Sequence, residues 1–215
     1  MNTLSQTQEE QYINKYCQEH GIELPRLAIE IGERKETVFS PLRNFITNGW
    51  KALFVEHTTE GYEELSGTYS AMNNVKVCKA AIVPVMKDNP FDKLEPNDQI
   101  INNDESPEQN DLSMTWLKLI ATYGLFQEKI GLLNLVAEDA MTGILENILL
   151  WKSPVFLIVE SNTTFEQLKR LNMLSNHYCL LNNSDKKMLL LRKDYMLHGT
   201  NNNSTAGIKV PVMYN

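Results

Sequence analysis

Five short, nearly continuous apolar runs constrain this chain more than any other feature. They are "RLAIEIG" (26–32), "WKALFVEH" (50–57), "NVKVCKAAIVPV" (74–85), "IGLLNLVA" (130–137) and "PVFLIVES" (154–161). A strand with one wet face alternates apolar and polar residues, whereas a run without alternation is covered on both faces. Helix-like segments stand between the runs, so the covering layers are helices on both sides of a mainly parallel sheet. The first of these follows Ser40-Pro41, an N-cap and first-turn pair. It places Leu42, Phe45 and Ile46 on one face and stops at Asn48-Gly49. "TTEGYEELSGTYSAM", opening near a threonine cap, is a second; "LSMTWLKLIATYGLF", "DAMTGILENILLW" and "TTFEQLKRLNML" follow. "HYCLLNNSDKKMLLLRKDY" is two strand-like runs around Asn-Asn-Ser-Asp, which predicts a closing hairpin. The expected fold is α/β: a doubly wound, mainly parallel sheet with an antiparallel hairpin strand at its edge.

Around this core the sequence divides into an N-terminal helical extension (1–24), a main domain (25–197) and a polar tail (198–215). One stretch of the main domain breaks the pattern. Residues 87–111 hold eight acids against two lysines, three prolines and many asparagines, and no period fits them. A mobile acidic insertion is expected there. Trp116 and Trp151 are expected to fill the core.

Charge and cysteine usage narrow the function classes. The formal net charge is −7, which disfavours a nucleic-acid backbone as partner, since binding one takes clustered Lys and Arg. No apolar run approaches the roughly 18 residues of a membrane span. The N-terminal stretch lacks the basic-then-apolar order of a signal peptide. Cys17, Cys78 and Cys179 are scattered and odd in number, as for reduced thiols in a cytoplasmic protein. His20, His57, His177 and His198 show no metal-ligand spacing, so no metal centre is expected.

In a doubly wound sheet ligands bind at the carboxyl ends of the strands, where the strand order reverses. The first run ends in Glu30-Ile31-Gly32 and the second in Glu56-His57. A glycine after the first strand lets the backbone turn tightly and approach a ligand. An acid ending the second strand can accept hydrogen bonds from a ribose diol. Gly32 and Glu56 lie 24 residues apart, near the spacing of about 20 expected for that pairing. The repeated glycines that cradle a diphosphate are missing, so NAD and ATP match poorly. S-adenosylmethionine (SAM) carries a ribose and an adenine but no phosphate. The bland alternative stays open: Gly32 a plain turn, Glu56 a solvated acid, His57 an exposed loop histidine.

Taken together, these pieces resemble the FkbM-like branch of the SAM-dependent methyltransferases over roughly Leu27 to Tyr195. The run from Glu30 to Glu36 corresponds to the family's Asp-x-Gly-Ala-Asn-x-Gly loop, "FVEHTTEGYEEL" to its second strand end, and "CKAAIV" to its third. "NLVAEDAMTGIL" falls on the family's Lys-Ile-Asp-Val-Glu-Gly-x-Glu segment, with Asn134 for the Lys, Val136 for the Asp and Asp139 for the Gly. Glu138 alone is retained among its acids, and Glu36 stands where the loop has its second glycine. The resemblance implies a Rossmann-like methyltransferase fold, with SAM as cofactor held by Glu30, Gly32, Glu33, Glu56 and His57. It further implies methyl transfer to an oxygen of a small-molecule acceptor, such as a sugar or metabolite. Glu138 is the candidate base or acceptor-orienting group, and Asp139 beside it could share the role. Equally, both acids suit a helix start, where the dipole favours negative charge. The rival expectation is a binding or interaction module that keeps the fold without the reaction.

Overall fold

A computed structural model describes residues 7–32, 40–84, 113–136, 141–160, 172–184 and 187–196. In chain order these form α1 (Gln8–His20), β1 (Leu27–Ile31), α2 (Arg43–Thr47), β2 (Lys51–Glu56), α3 (Thr59–Tyr69) and β3 (Val75–Lys79). Then come β4 (Ala81–Ile82), β5 (Ser113–Met114), α4 (Trp116–Thr122), β6 (Leu132–Val136) and α5 (Met141–Trp151). Finally come β7 (Phe156–Glu160), α6 (Asn172–His177), β8 (Tyr178–Asn183) and β9 (Lys187–Arg192). The acidic stretch 87–111 and most of "TTFEQLKRLNML" lie outside the described residues.

Seven strands form one sheet in the order β3-β2-β1-β6-β7-β9-β8. All neighbours from β3 to β7 run parallel, and β9 runs antiparallel to β7. The five apolar runs thus become the five parallel strands; β1, β2, β6 and β7 have both faces covered, whereas the edge strand β3 exposes Lys76 and buries only Cys78. On one face Ala28, Phe54, Leu132, Phe156 and Ile158 pack under Ile13 of α1, Phe45 and Ile46 of α2, and Leu65 and Tyr69 of α3. On the other, Ile29, Leu53, Leu133 and Leu157 pack under Trp116 of α4, Leu145 and Ile148 of α5, and Leu174 of α6. This strand order, with an antiparallel strand one in from the edge, is that of the Rossmann-like methyltransferase fold.

The structure refines three expectations. The antiparallel strand is β9, seated between β7 and β8. Its Met188 to Leu191 are buried, whereas β8 between Cys179 and Asn182 is only half-buried, so the more apolar arm takes the inner place. Next, the run "NVKVCKAAIVPV" does not stay one strand. The N–H of Ala80 donates to the carbonyl of Glu56, the last residue of β2, and beyond it β2 offers no further partner. Ala81-Ile82 pairs instead with Ser113-Met114 as a separate two-stranded sheet. Finally, Trp116 is fully buried but Trp151, at the end of α5, is 41% exposed.

Candidate functional site

The strand order reverses between β1 and β6, so the crevice of the fold lies where these two strands and β2 end. Each end carries a residue whose form follows from its surroundings. Gly32, just past β1, sits at φ 114° and donates its N–H to the carbonyl of Val55. A Cβ there would stand 1.8 Å from the carbonyl oxygen of Val136, the last residue of β6. Close approach of the two chains at the switch point therefore demands glycine, ligand or no ligand.

Glu30 lies one pleat below, on the face covered by α1 to α3, and is 4% exposed. Its Oε2 accepts from the Ser40 hydroxyl at 2.8 Å and from Asn134 Nδ2 at 3.1 Å. Ser40 is therefore not the side-chain cap of α2. Its hydroxyl is turned to Glu30 and accepts the N–H of Leu42 at 3.2 Å, while the helix proper begins at Arg43 without a side-chain cap. Glu30 thus ties Ser40 to β1 and β6. Asn134 is fully buried opposite Glu30, and its Oδ1 has no hydrogen-bond partner among the described residues. Tyr69, stacked on Phe54 at 4.8 Å, faces the same region. Burial, and next the Glu30 carboxylate, push its phenol up to about 12.

Glu56 ends β2 and is 1% exposed. Its Oε1 accepts both the N–H of Thr58, at 2.7 Å, and the hydroxyl of Thr58, at 2.8 Å. Oε2, also buried, has no partner among the described residues. A buried carboxylate oxygen without a donor costs free energy and calls for an explanation; a ligand's hydroxyl group is one. Thr58 also caps α3, its Oγ1 accepting the N–H of Gly61 at 3.1 Å. A Cβ on Gly61 would stand 2.8 Å from Glu56 Cγ and 2.9 Å from Cδ, so glycine makes room for the carboxylate. His57 is half-exposed, with Nδ1 3.4 Å from Glu56 Oε1. Lys79, opposite Glu56 on β3, donates to the hydroxyl of Thr59 at 2.8 Å.

The structure thus brings Glu30, Gly32, Glu56 and His57 to the carboxyl ends of adjacent strands. Glu33, Glu138 and Asp139 lie outside the described residues. Sequence reasoning placed Thr58 only as a cap and passed over Gly61. The signal was present as Glu-x-Thr-x-x-Gly (56–61), a hydroxyl two residues beyond a strand-end acid and a glycine in the following helical turn. Among the described residues no group of His, Cys, Asp and Glu could hold a metal ion, and no helix is long and apolar enough to cross a membrane.

The site fits a cofactor that presents ribose hydroxyls: the acid that ends the second strand keeps one buried acceptor, Oε2, without a donor among the described residues. No protein-family model matches the chain, and no curated protein matches its sequence. Among solved structures it is similar to a precorrin-6y C5,15-methyltransferase from Geobacter metallireducens. There the identity is 11%, the match covers 90% of this chain and 92% of that one, and the TM-score is 0.45. It is also similar to a human methyltransferase 10 domain containing protein, at 13% identity over 85% and 78% of the two chains with a TM-score of 0.47. A protein of the NADB-Rossmann superfamily from Streptococcus agalactiae is similar at 14% identity over 87% and 68%, with a TM-score of 0.45. Likenesses this distant carry nothing about activity, and the fold stands on the strand order.

Proposed function

We propose that this protein is a SAM-dependent methyltransferase that transfers a methyl group to an oxygen of a small-molecule acceptor, a sugar or other metabolite. The observation that carries the reading is the unpartnered Oε2 of Glu56, buried at the end of the second strand. Glu56 Oε2 receives ribose hydroxyls there, while Gly32 keeps the neighbouring turn close to the strand ends. SAM supplies a methyl group on a sulfonium, whose departure as a neutral thioether drives the transfer. The protein's share is mainly to hold donor and acceptor in near-attack geometry. Glu138, with Asp139 beside it, is proposed to take the proton from the acceptor hydroxyl. The FkbM-like resemblance supports this choice of acceptor and base.

One observation favours a second reading, a binding module with the same fold. In β6 the family's lysine is replaced by Asn134, whose amide is committed to Glu30, and its aspartate by Val136. Calorimetry with S-adenosylhomocysteine, followed by a screen of metabolites with methyl-labelled SAM, separates the readings. The methyltransferase binds the ligand and transfers label; the module gives no label on any acceptor. In either case Glu56→Gln is expected to weaken the ligand by roughly 1.5–3 kcal/mol, the worth of a charge-assisted bond. No heat with the wild-type protein at millimolar ligand would overturn the cofactor assignment.

A further inference from the structure

We infer that Thr58 is a positioning residue for the ligand-binding carboxylate, and that Gly61 holds the space this requires. The inference rests on the cofactor reading above. A carboxylate oxygen offers about two acceptor positions. On Glu56 Oε1 both are taken, by the N–H and by the hydroxyl of Thr58, at 2.7 and 2.8 Å. The ligand's hydroxyls therefore meet Oε2 alone, rather than one hydroxyl on each oxygen. Without Thr58's hydroxyl the carboxylate loses one of two bonds that fix its plane, and Oε1 competes with Oε2 for the ligand.

Thr58 is held in turn, because its Oγ1 accepts the N–H of Gly61 as it donates to Glu56. The hydroxyl thus passes a hydrogen-bond chain from the first turn of α3 to the carboxylate. Such a chain has a fixed direction: Gly61 N–H to Thr58 Oγ1, and Thr58 O–H to Glu56 Oε1. Valine at 58 breaks both links while serine keeps both. Alanine at 61 puts a methyl group 2.8 Å from both Glu56 Cγ and Thr58 Oγ1, displacing the carboxylate together with the hydroxyl that holds it.

The test is calorimetric titration of S-adenosylhomocysteine and of its 2′,3′-dideoxy analogue into wild type, Thr58→Val, Thr58→Ser and Gly61→Ala. Thr58→Val is expected to raise Kd for S-adenosylhomocysteine about tenfold, and Thr58→Ser to restore it within about threefold. The dideoxy analogue, which lacks the hydroxyls, should bind wild type and Thr58→Val alike. A purely structural cap would lower stability without changing the ratio of the two ligands, and that result would overturn the inference. Should Thr58→Val fail to fold, Gly61→Ala decides: a raised Kd is expected, and wild-type affinity in that variant would overturn it. Absence of binding by the wild type overturns the cofactor reading and this inference with it. Wild-type binding with unchanged variants overturns this inference alone.

Discussion

At Gly32 two demands meet in one residue: a φ of 114° that side-chained residues avoid, and a backbone oxygen 1.8 Å from where a Cβ would sit. Neither can be relieved by rotating a side chain, because the obstacle is the main chain of Val136. Gly32→Ala is therefore expected to cost at least about 2–4 kcal/mol, read as a shift of the urea midpoint. A loss below about 1 kcal/mol would mean that β1 and β6 part easily at the switch point. Glu56 shows the opposite kind of constraint. Its environment fills one oxygen and leaves the other buried without a donor, an arrangement that costs stability. Sequence spacing could nominate Gly32 and Glu56, since a glycine and an acid at two strand ends are readable in one dimension. It could not show that Gly32 is required by Val136, because that contact spans more than a hundred residues. Ser40 is not the cap expected from its local sequence because α2 begins only at Arg43; its hydroxyl accepts the N–H of Leu42 and donates to a buried carboxylate on another element.

The elements that cover the sheet are held by buried groups that must stay neutral, and this gives the fold an alkaline limit. Ile13 of α1 is fully buried against the sheet, and Tyr16 meets Phe156 edge-on at 6.3 Å. Beside them burial pushes the Cys17 thiol from 9.0 up to about 11. On α3, burial and the nearby Glu30 push Tyr69 from 10.0 up to about 12. Tyr178, whose hydroxyl donates to the carbonyl of Pro154, is also raised by burial. For each group the folded-state value lies above the unfolded one. The stability it contributes is whole below the unfolded value and lost as pH rises through the folded one. Stability to urea should therefore begin to fall above pH 9 as Cys17 titrates, and fall further between pH 10 and 12 as Tyr69 does. Cys17→Ala should reduce the first part of the decline, to which Cys78 and Cys179, also raised by burial, contribute, and leave the second. A wild-type profile flat to pH 12 would contradict the packing of α1 and α3. Burial of this kind was only partly legible beforehand. The period of "TVFSPLRNFITNGW" exposed the apolar face of α2, whereas Trp151 looked like core and is exposed at the end of its helix.

For the molecule as a whole, connectivity was the most legible property and chemistry the least. Unalternating runs can be buried only as inner strands, so "LAIEI", "ALFVE" and "FLIVE" announced a parallel sheet before any contact was known. The hairpin was equally clear from "NNSD", but which arm lay inside depended on comparing Met188–Leu191 with Cys179–Asn182 across a sheet. The break between β3 and β4 had no local signal, because it is set by where β2 stops. The proposed base Glu138, with Asp139, stands on sequence resemblance, whereas the proposed ribose-binding role of Glu56 is supported by its buried, unpartnered oxygen. The fold and the buried, unpartnered oxygen of Glu56 thus define one central proposal: an adenosyl ligand binds at the ends of β1 and β2 and is held through its ribose.

The most direct measurement of that claim is a crystal structure of the protein grown with saturating S-adenosylhomocysteine. The account predicts ribose hydroxyl oxygens about 2.5–3.0 Å from Glu56 Oε2, with Oε1 still bound by both donors of Thr58. Ligand bound elsewhere on the molecule, or an Oε2 left without a partner in the complex, would contradict it.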